Sequence, residues 1–178
     1  IEPMISDTKL LRQSLRKKGF KFARKTCPKG RVEAHSGYQG TLGWGYASAL
    51  GAKVTCPDRA VVSIAGDGGF MFNAQELASA VRHNIAVVVV VFSDGAFGNV
   101  ARIQQENYAG RTIASDLKNP SFSALAESFG VMALEAGGPD ELETTIKDAL
   151  DANVPALIEV PCGEMPSPWD MVLLPKVR

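Results

Sequence analysis

The sequence is poor in several features that mark common protein classes. Its 178 residues include three cysteines and two histidines. Cys27, Cys56 and Cys162 are far apart and in no C-x-x-C pair, which argues against a zinc site or a disulfide framework and predicts reduced thiols. The longest apolar run, Ile85–Phe92, has eight residues, well short of the about 20 that a membrane helix needs. We therefore expect a cytoplasmic protein that does not enter a membrane.

The chain also lacks an excess of either charge. Nineteen Lys and Arg residues balance nineteen Asp and Glu residues, so the net charge predicts neither a nucleic acid nor an anionic membrane as a partner. Ten of the basic residues lie within the first 31 positions, a pattern typical of a solvated helix and tail. We therefore treat residues 1–34 as a basic, partly helical N-terminal segment or linker remnant, and residues 35–178 as one domain.

Short apolar runs alternate with helical patterns along residues 35–178. Ile85–Phe92 is nearly all valine without period-two alternation, which is typical of a strand buried on both faces of a parallel sheet. Ser121 is a candidate N-cap for one helix and Gly130 its end, and Asn73 is a candidate N-cap for another. The order of elements predicts an α/β domain of three layers, a mainly parallel sheet with helices on both faces. Strands are predicted at 60–65, 85–92, 131–135 and 156–160, and helices at 43–52, 74–82, 100–106, 122–129 and 139–152.

Two consecutive predicted strands end in turns that combine glycine with an acidic residue. Gly66-Asp67-Gly68-Gly69 follows the first strand, and Asp94 lies 27 residues after Asp67. So many glycines imply a positive φ or a close approach of the backbone to another group. Parallel neighbouring strands would bring both carboxylates to the edge where open α/β sheets bind ligands. Mg²⁺ takes one or two carboxylates together with phosphate oxygens. The pattern therefore indicates Mg²⁺ bridging the chain to a diphosphate, which backbone N–H groups at the following helix could also contact.

These turns carry a resemblance to a known family. GDGGF, followed 27 residues from its aspartate by SDGAFGNV, is similar to the GDG…NN signature of thiamine-diphosphate-dependent enzymes, and GYQGTLGWGYASALGAK is similar to their upstream segment. The blocks AVVSIAGDGGFMFNAQELASAVRHNIAVVVVVF, NPSFSALAESFGV and PALIEVPCGEMPSPW resemble the carboxyl-terminal domain of acetolactate-synthase-like enzymes. The resemblance covers about residues 36–175. It implies the thiamine-diphosphate-binding fold, with residues 35–178 as the diphosphate-binding domain and thiamine diphosphate and Mg²⁺ as cofactors.

The resemblance also implies roles for individual residues. Asp67, Asp94 and the main-chain carbonyl of Ala96 would bind the metal. Leu42 would prop the cofactor in its bent V shape, and the carbonyl of Gly40 would accept a hydrogen bond from the 4′-amino group of the aminopyrimidine. The main-chain N–H groups of the glycine turns would bind the diphosphate. The cofactor contacts implied in this way are Gly40, Leu42, Gly66, Asp67, Gly68, Gly69, Asp94, Ala96, Phe97, Gly98 and Asn99.

Some of these residues also fit plainer interpretations. Asp94 departs from the family pattern, which usually has asparagine there. Aspartate keeps an oxygen ligand but adds a negative charge beside the diphosphate. Taken alone, Leu42 would be an ordinary core residue and a Gly-Asp-Gly sequence only a turn.

The resemblance implies an enzyme, a thiamine-diphosphate-dependent lyase or transferase. Its reactions would be decarboxylation or carbon–carbon bond formation on 2-oxo acids. In the family, a glutamate on a separate pyrimidine-binding domain activates the cofactor, and one α/β unit takes up the whole length of this chain. We therefore assign no catalytic residue, and we expect the chain to be inactive alone. Its expected partners are a pyrimidine-binding domain or chain and further copies of itself.

Three interpretations of the whole chain remain open. It is a piece of an acetolactate-synthase-like enzyme, the diphosphate-binding subunit of a two-chain oxoacid decarboxylase, or a non-catalytic module that binds diphosphate nucleotides. The third would favour the pattern G-x-G-x-x-G after the first strand, and GDGGFMF lacks the third glycine. The residues do not identify the substrate.

Overall fold

A four-stranded parallel sheet forms the centre of the part of the chain that the structure describes. The computed structural model describes residues 40–163. The strands are β1 (Val62–Gly66), β2 (Val88–Ser93), β3 (Met132–Glu135) and β4 (Ala156–Pro161). Their spatial order is β1-β2-β4-β3, and every neighbouring pair is parallel. The predicted parallel sheet is confirmed, whereas the basic segment 1–34 lies outside the described residues.

Helices cover both faces of this sheet, which confirms the predicted α/β layers. The helices of the described residues are α1 (Trp44–Thr55), α2 (Asp67–Met71), α3 (Glu76–Arg82), α4 (Gly98–Asn107), α5 (Phe122–Phe129) and α6 (Pro139–Ala152). Buried side chains of α1, α2, α3 and α5 share one apolar cluster with one face of the sheet, and α6 packs on the opposite face.

The valine run at β2 is buried on both faces, as its composition predicts. Val87, Val89 and Val91 belong to the cluster with α1, α3 and α5, while Val88 and Val90 belong to the cluster with α6. Each of these five valines is at most 1% exposed. A strand between two helical layers has no solvent face, so it needs no polar alternation.

An aromatic row holds α2 against the sheet directly after β1. Phe70 is 1% exposed, and its ring lies edge-on to Tyr46 of α1 at 5.6 Å and to Phe122 of α5 at 5.8 Å between centroids. Such pairs add about 0.5–1.5 kcal/mol each beyond the apolar area that they bury. Burial, and then the charge of Glu76, raise the pKa of the Tyr46 hydroxyl. The row fixes the helical turn that begins at Asp67.

The predicted N-cap at Asn73 is wrong. The chain already forms α2 at Asp67, and α3 begins only at Glu76, with Gln75 at its N-cap and no capping bond from a side chain. The Asn73 amide instead donates to the carbonyl of Gly43, 2.7 Å away. A tertiary contact 30 residues away has therefore taken the side chain that local sequence assigns to a cap.

The start and end of α5 match the prediction. The Ser121 hydroxyl accepts a hydrogen bond from the N–H of Ala124 at 3.1 Å, which satisfies one of the free donors at the helix start. Gly130 ends the helix with φ +77°, in the left-handed region that glycine adopts without steric cost. Local sequence suffices here because the residues that cap the helix are its immediate neighbours.

The expected reduced state of the thiols holds for one described cysteine and is wrong for the other. Cys162 is a free thiol, whereas Cys56, at the end of α1, is disulfide-bonded. Separation in sequence does not prevent such a bond, which needs only a Cα–Cα distance of about 4.4–6.8 Å in the folded chain.

Between residues 40 and 163, no helix is both long enough and apolar enough to cross a bilayer.

We predict that Phe70→Ala will lower the free energy of unfolding by about 3–5 kcal/mol, because it empties a buried site and removes both ring contacts. Phe72→Ala is the matched control, since Phe72 is 57% exposed and should cost less than about 0.5 kcal/mol. Urea unfolding followed by circular dichroism measures both values. Equal losses for the two variants would contradict the central position of the aromatic row.

Candidate functional site

The two glycine-and-aspartate turns meet at one edge of the sheet. Asp67 directly follows β1 and Asp94 directly follows β2, and these strands are parallel neighbours with Gly66 opposite Phe92. The N–H of Gly95 donates to Asp67 Oδ2 at 2.8 Å, which ties the two turns together. The predicted convergence at the carboxyl ends of β1 and β2 is confirmed.

Asp67 is a buried carboxylate with several donors. It is 1% exposed. Its Oδ1 accepts from the N–H of Gly68 at 2.6 Å, and its Oδ2 accepts from Gly95 and from the side-chain amide of Asn119, each at 2.8 Å. A carboxylate in this position needs such donors, since an unpaired buried charge is costly.

Asp94 lies half-buried on the other side of the same edge. Its Oδ1 accepts from the N–H of Ala96 at 3.1 Å, and a Cβ added to Gly98 would lie 3.1 Å from its Oδ2. Gly98 therefore lets α4 begin directly against this carboxylate. Burial raises the pKa of the Cys162 thiol, and the charges of Asp94 and then Asp67 raise it further. Asp67 and Asp94 bring two carboxylates to this edge, and carboxylate oxygens are ligands that bind Mg²⁺.

The glycines at the end of β1 and the start of α2 meet one of the two expectations: the backbone approaches another group closely at Gly68, but none of these glycines needs a positive φ. None of Gly66, Gly68 and Gly69 has a positive φ. A Cβ on Gly68 would lie 2.5 Å from Phe97 Cε1, so the close approach is to a ring of this chain. Among the described residues, a Cβ on Gly66 would meet nothing within 4 Å, and one on Gly69 only Leu42 Cδ2 at 3.8 Å. Residues 40–163 therefore leave space beside Gly66 and Gly69, where a ligand could approach the backbone.

The other predicted site residues surround this edge. Leu42 is 47% exposed and faces Gly69, so the interpretation as an ordinary core residue is wrong. Gly40 has φ +55° and is exposed. Phe97 is the N-cap residue of α4, and Asn99 lies in its first turn. The Asn99 side-chain oxygen accepts a hydrogen bond from Arg102 at 2.9 Å.

The structure adds a loop that the sequence reasoning missed. Leu117 N donates to Gly95 O and Phe97 N donates to Ser115 O, each at 2.8 Å. These bonds place Asn119 beside Asp67, which is 52 residues earlier in the chain. The only signal in the sequence is the dipeptide Asn119-Pro120, which marks a turn or loop but does not say what the amide contacts.

The donor set of this edge fits Mg²⁺ together with a diphosphate. No group of three or more His, Cys, Asp or Glu side chains within residues 40–163 could hold a metal ion. Mg²⁺ does not need such a cage, since it is usually bound by one or two carboxylates and by phosphate oxygens. Asp67 and Asp94 supply two carboxylates, and the open space at Gly66 and Gly69 leaves room for phosphate oxygens.

We predict that Gly68→Ala will destabilise the domain by about 1–3 kcal/mol, because the new methyl group would overlap the Phe97 ring. In the double variant with Phe97→Ala most of the added penalty should disappear, because the remaining close contact, Leu117 Cδ1 at 3.0 Å, is the end of a flexible side chain. A double-mutant cycle of urea unfolding measures this coupling. Gly69→Ala is the control and should show no such coupling with Phe97. Additive losses for Gly68→Ala and Phe97→Ala would contradict the contact as the reason for this glycine.

Comparison with known proteins identifies the domain. The family described as thiamine pyrophosphate enzyme, C-terminal TPP binding domain, matches residues 19–160. The chain is 40% identical over 125 residues to a probable acetolactate synthase large subunit of Methanococcus aeolicus, covering 70% of this chain and 21% of that protein. It is 41% identical over 126 residues to the corresponding protein of Methanocaldococcus jannaschii, with the same coverage. Acetolactate synthase of Bacillus subtilis is 40% identical over 121 residues, covering 68% and 21%.

The match extends over most of the chain but over a small part of its relatives. The chain spans about a fifth of the length of these curated proteins. The cofactor of the matched domain is thiamine diphosphate with a divalent metal, typically Mg²⁺, in agreement with the prediction from the two turns. The chain therefore belongs to the family of C-terminal thiamine-diphosphate-binding domains.

Proposed function

We propose that this chain binds Mg²⁺ and the diphosphate of thiamine diphosphate at the carboxyl ends of β1 and β2. Asp67, Asp94 and the carbonyl of Ala96 would hold the metal. The observation that carries the proposal is the hydrogen bond of 2.8 Å from Gly95 N to Asp67 Oδ2, because it holds the two acidic turns side by side. The two carboxylates at this edge would attract the metal cation, and the cation would offset the negative charge of the diphosphate.

The backbone around the carboxylates would bind the rest of the diphosphate. Gly68 and Gly69 begin α2, and Gly98 and Asn99 begin α4. N–H groups at helix starts lack partners within the helix and favour anions. Gly66 and Phe97 would border the same contact. The Gly68 N–H already donates to Asp67 Oδ1 at 2.6 Å, so the proposed diphosphate donors are the N–H groups of Gly69, Gly98 and Asn99. They lie on the helices that come next after β1 and β2, which supports a single diphosphate position.

Leu42 and Gly40 would contact the thiamine end of the cofactor. Leu42 is exposed, and its Cδ2 lies 3.8 Å from the Cβ position of Gly69, so it can support a ligand whose diphosphate lies at the glycine turn. Gly40 is two residues earlier on the same loop, and its carbonyl would accept from the aminopyrimidine. When bound, thiamine diphosphate supplies a thiazolium carbon that adds to carbonyl groups and stabilises the negative charge left by carbon–carbon cleavage.

We further propose that the domain is part of an acetolactate-synthase-like enzyme that acts on 2-oxo acids. The matched relatives are named as acetolactate synthases, and this supports that subfamily over a diphosphate-nucleotide module. A diphosphate-binding subunit of a two-chain oxoacid decarboxylase is the remaining alternative. The division of the chain after residue 34 belongs to the same proposal.

A pyrimidine-binding domain on a longer or second chain would complete this site. The family's activating glutamate has no counterpart at the described edge. Glu106 lies about 12 Å along α4 from its start at Gly98 and pairs with Arg102 at 2.9 Å, and Glu76 begins α3. Exposed Leu42, with half-buried Trp44 and Phe97, would form the apolar surface for this partner or for a further copy of the chain.

A cytoplasmic location stays a prediction. The disulfide at Cys56 does not support it, because disulfides are rare in cytosolic proteins.

We predict that binding of thiamine diphosphate will require Mg²⁺. Asp67→Ala should weaken it by about 3 kcal/mol or more, roughly 100-fold in Kd, because a charged ligand of a desolvated ion is lost. Asp94→Asn keeps an oxygen ligand and removes one negative charge, so binding should survive. Isothermal titration calorimetry with and without EDTA measures each constant. Binding that is unchanged in EDTA would contradict the metal assignment.

We also predict that the chain alone will decarboxylate 2-oxo acids at close to the rate of free cofactor. General acid–base help contributes about 10²–10⁴-fold, and the group that would give it is assigned to the partner domain. A decarboxylation assay of the purified chain, alone and with a separately produced pyrimidine-binding domain, tests this. Family-like turnover by the chain alone would place the missing group within its 178 residues.

A further inference from the structure

The two oxygens of the Asp67 carboxylate are not equally free. Oδ2 accepts two hydrogen bonds, from Gly95 N and from Asn119 Nδ2, each at 2.8 Å. Oδ1 accepts one, from Gly68 N at 2.6 Å. An ionised carboxylate has about four lone-pair positions, two on each oxygen. The donors within residues 40–163 therefore fill Oδ2 and leave one position on Oδ1.

Asn119 is the donor that decides this asymmetry. The Gly68 and Gly95 donors are main-chain groups next to the carboxylates, so any sequence with these turns keeps them. The Asn119 donor is a side chain from a loop that is separately anchored to the site, by Leu117 N to Gly95 O at 2.8 Å. Pro120 disfavours helical backbone at Asn119, and the Ser121 cap starts α5 directly after it. The amide is therefore held toward Asp67 by the Leu117 hydrogen bond before it and by the backbone restriction of Pro120 after it.

A carboxylate with only one open position can bind a metal ion through one oxygen only. Mg²⁺ requires an octahedron close to ideal and short bonds, whereas Ca²⁺ takes six to eight oxygens and readily binds both oxygens of one carboxylate. We propose that Asn119 is a specificity-determining residue that keeps Asp67 to one oxygen and thereby favours Mg²⁺ over Ca²⁺ at this site. This inference rests on the proposed role of Asp67 as a metal ligand.

The test compares thiamine diphosphate binding supported by Mg²⁺ and by Ca²⁺. Calorimetry of the full 178-residue chain would give a Kd for the cofactor at saturating concentrations of each metal. Asn119→Ala frees one position on Oδ2 and should reduce the preference for Mg²⁺ by about tenfold or more, through weaker Mg²⁺ support, stronger Ca²⁺ support or both. Asn119→Asp is the second variant. It keeps the size of the side chain, replaces the donor by an oxygen that suits Ca²⁺, and should shift the ratio in the same direction.

Ser121→Ala is the matched control for a structural effect of the loop. It removes the α5 cap two residues away, costs about 0.5–2 kcal/mol of stability, and should leave the ratio of Mg²⁺ to Ca²⁺ support unchanged. Thermal unfolding of each variant shows which of them fold, and the ratio is read from the folded ones. An unchanged ratio in a folded Asn119 variant overturns the proposal, as does an equal shift in Ser121→Ala.

The same measurements distinguish a wrong metal site from a wrong role for Asn119. If Asp67→Ala leaves metal-supported binding intact, or if neither metal supports binding in the unaltered chain, the proposed function is wrong and this inference fails with it. If Asp67→Ala abolishes binding while both Asn119 variants keep the original ratio, only the role of Asn119 is wrong.

Discussion

The site depends on one hydrogen bond, from the N–H of Gly95 to Oδ2 of Asp67. It joins the chain after β1 to the chain after β2 at the point where both leave the sheet. A carboxylate that is 1% exposed would be unfavourable without donors, so this contact satisfies Asp67 while it fixes the distance between the two turns. Gly95 can present its N–H in this way because its φ is +72°, in the region that glycine adopts at little cost. The loop carrying Asn119 then adds the last donor.

The location of the site follows from parallel pairing, and parallel pairing was predictable. The valines of β2 belong to two apolar clusters on opposite sheet faces, and their unbroken apolar pattern is typical of that position. Once β1 and β2 are parallel neighbours, the turns that follow them must share an edge. The sequence therefore predicts which residues converge, because convergence depends only on strand direction and on the positions of Asp67 and Asp94 relative to the strand ends.

What the sequence could not predict are the contacts between distant segments. The Asn73 amide binds the Gly43 carbonyl 30 residues away, and the Asn119 amide binds Asp67 across 52 residues. In both cases a polar side chain that local rules assign to a cap or a turn is used in tertiary structure. Gly68 illustrates the same limit. The sequence predicts a close approach there, but the group that approaches is the Phe97 ring, and no local pattern identifies that partner.

The small number of protein ligands also constrains how a metal and a diphosphate would bind here. Within residues 40–163 the edge offers two carboxylates and no larger cluster of metal-binding side chains. Under the proposed roles, the carbonyl of Ala96 brings the protein ligands to three, and Mg²⁺ prefers six oxygens. The remaining positions would come from the diphosphate and water, so neither ion nor cofactor would be well held without the other. A site with few protein ligands therefore makes metal and cofactor binding mutually dependent, as thermodynamic linkage requires. The diphosphate would then contribute to the metal's environment as directly as Asp67 does.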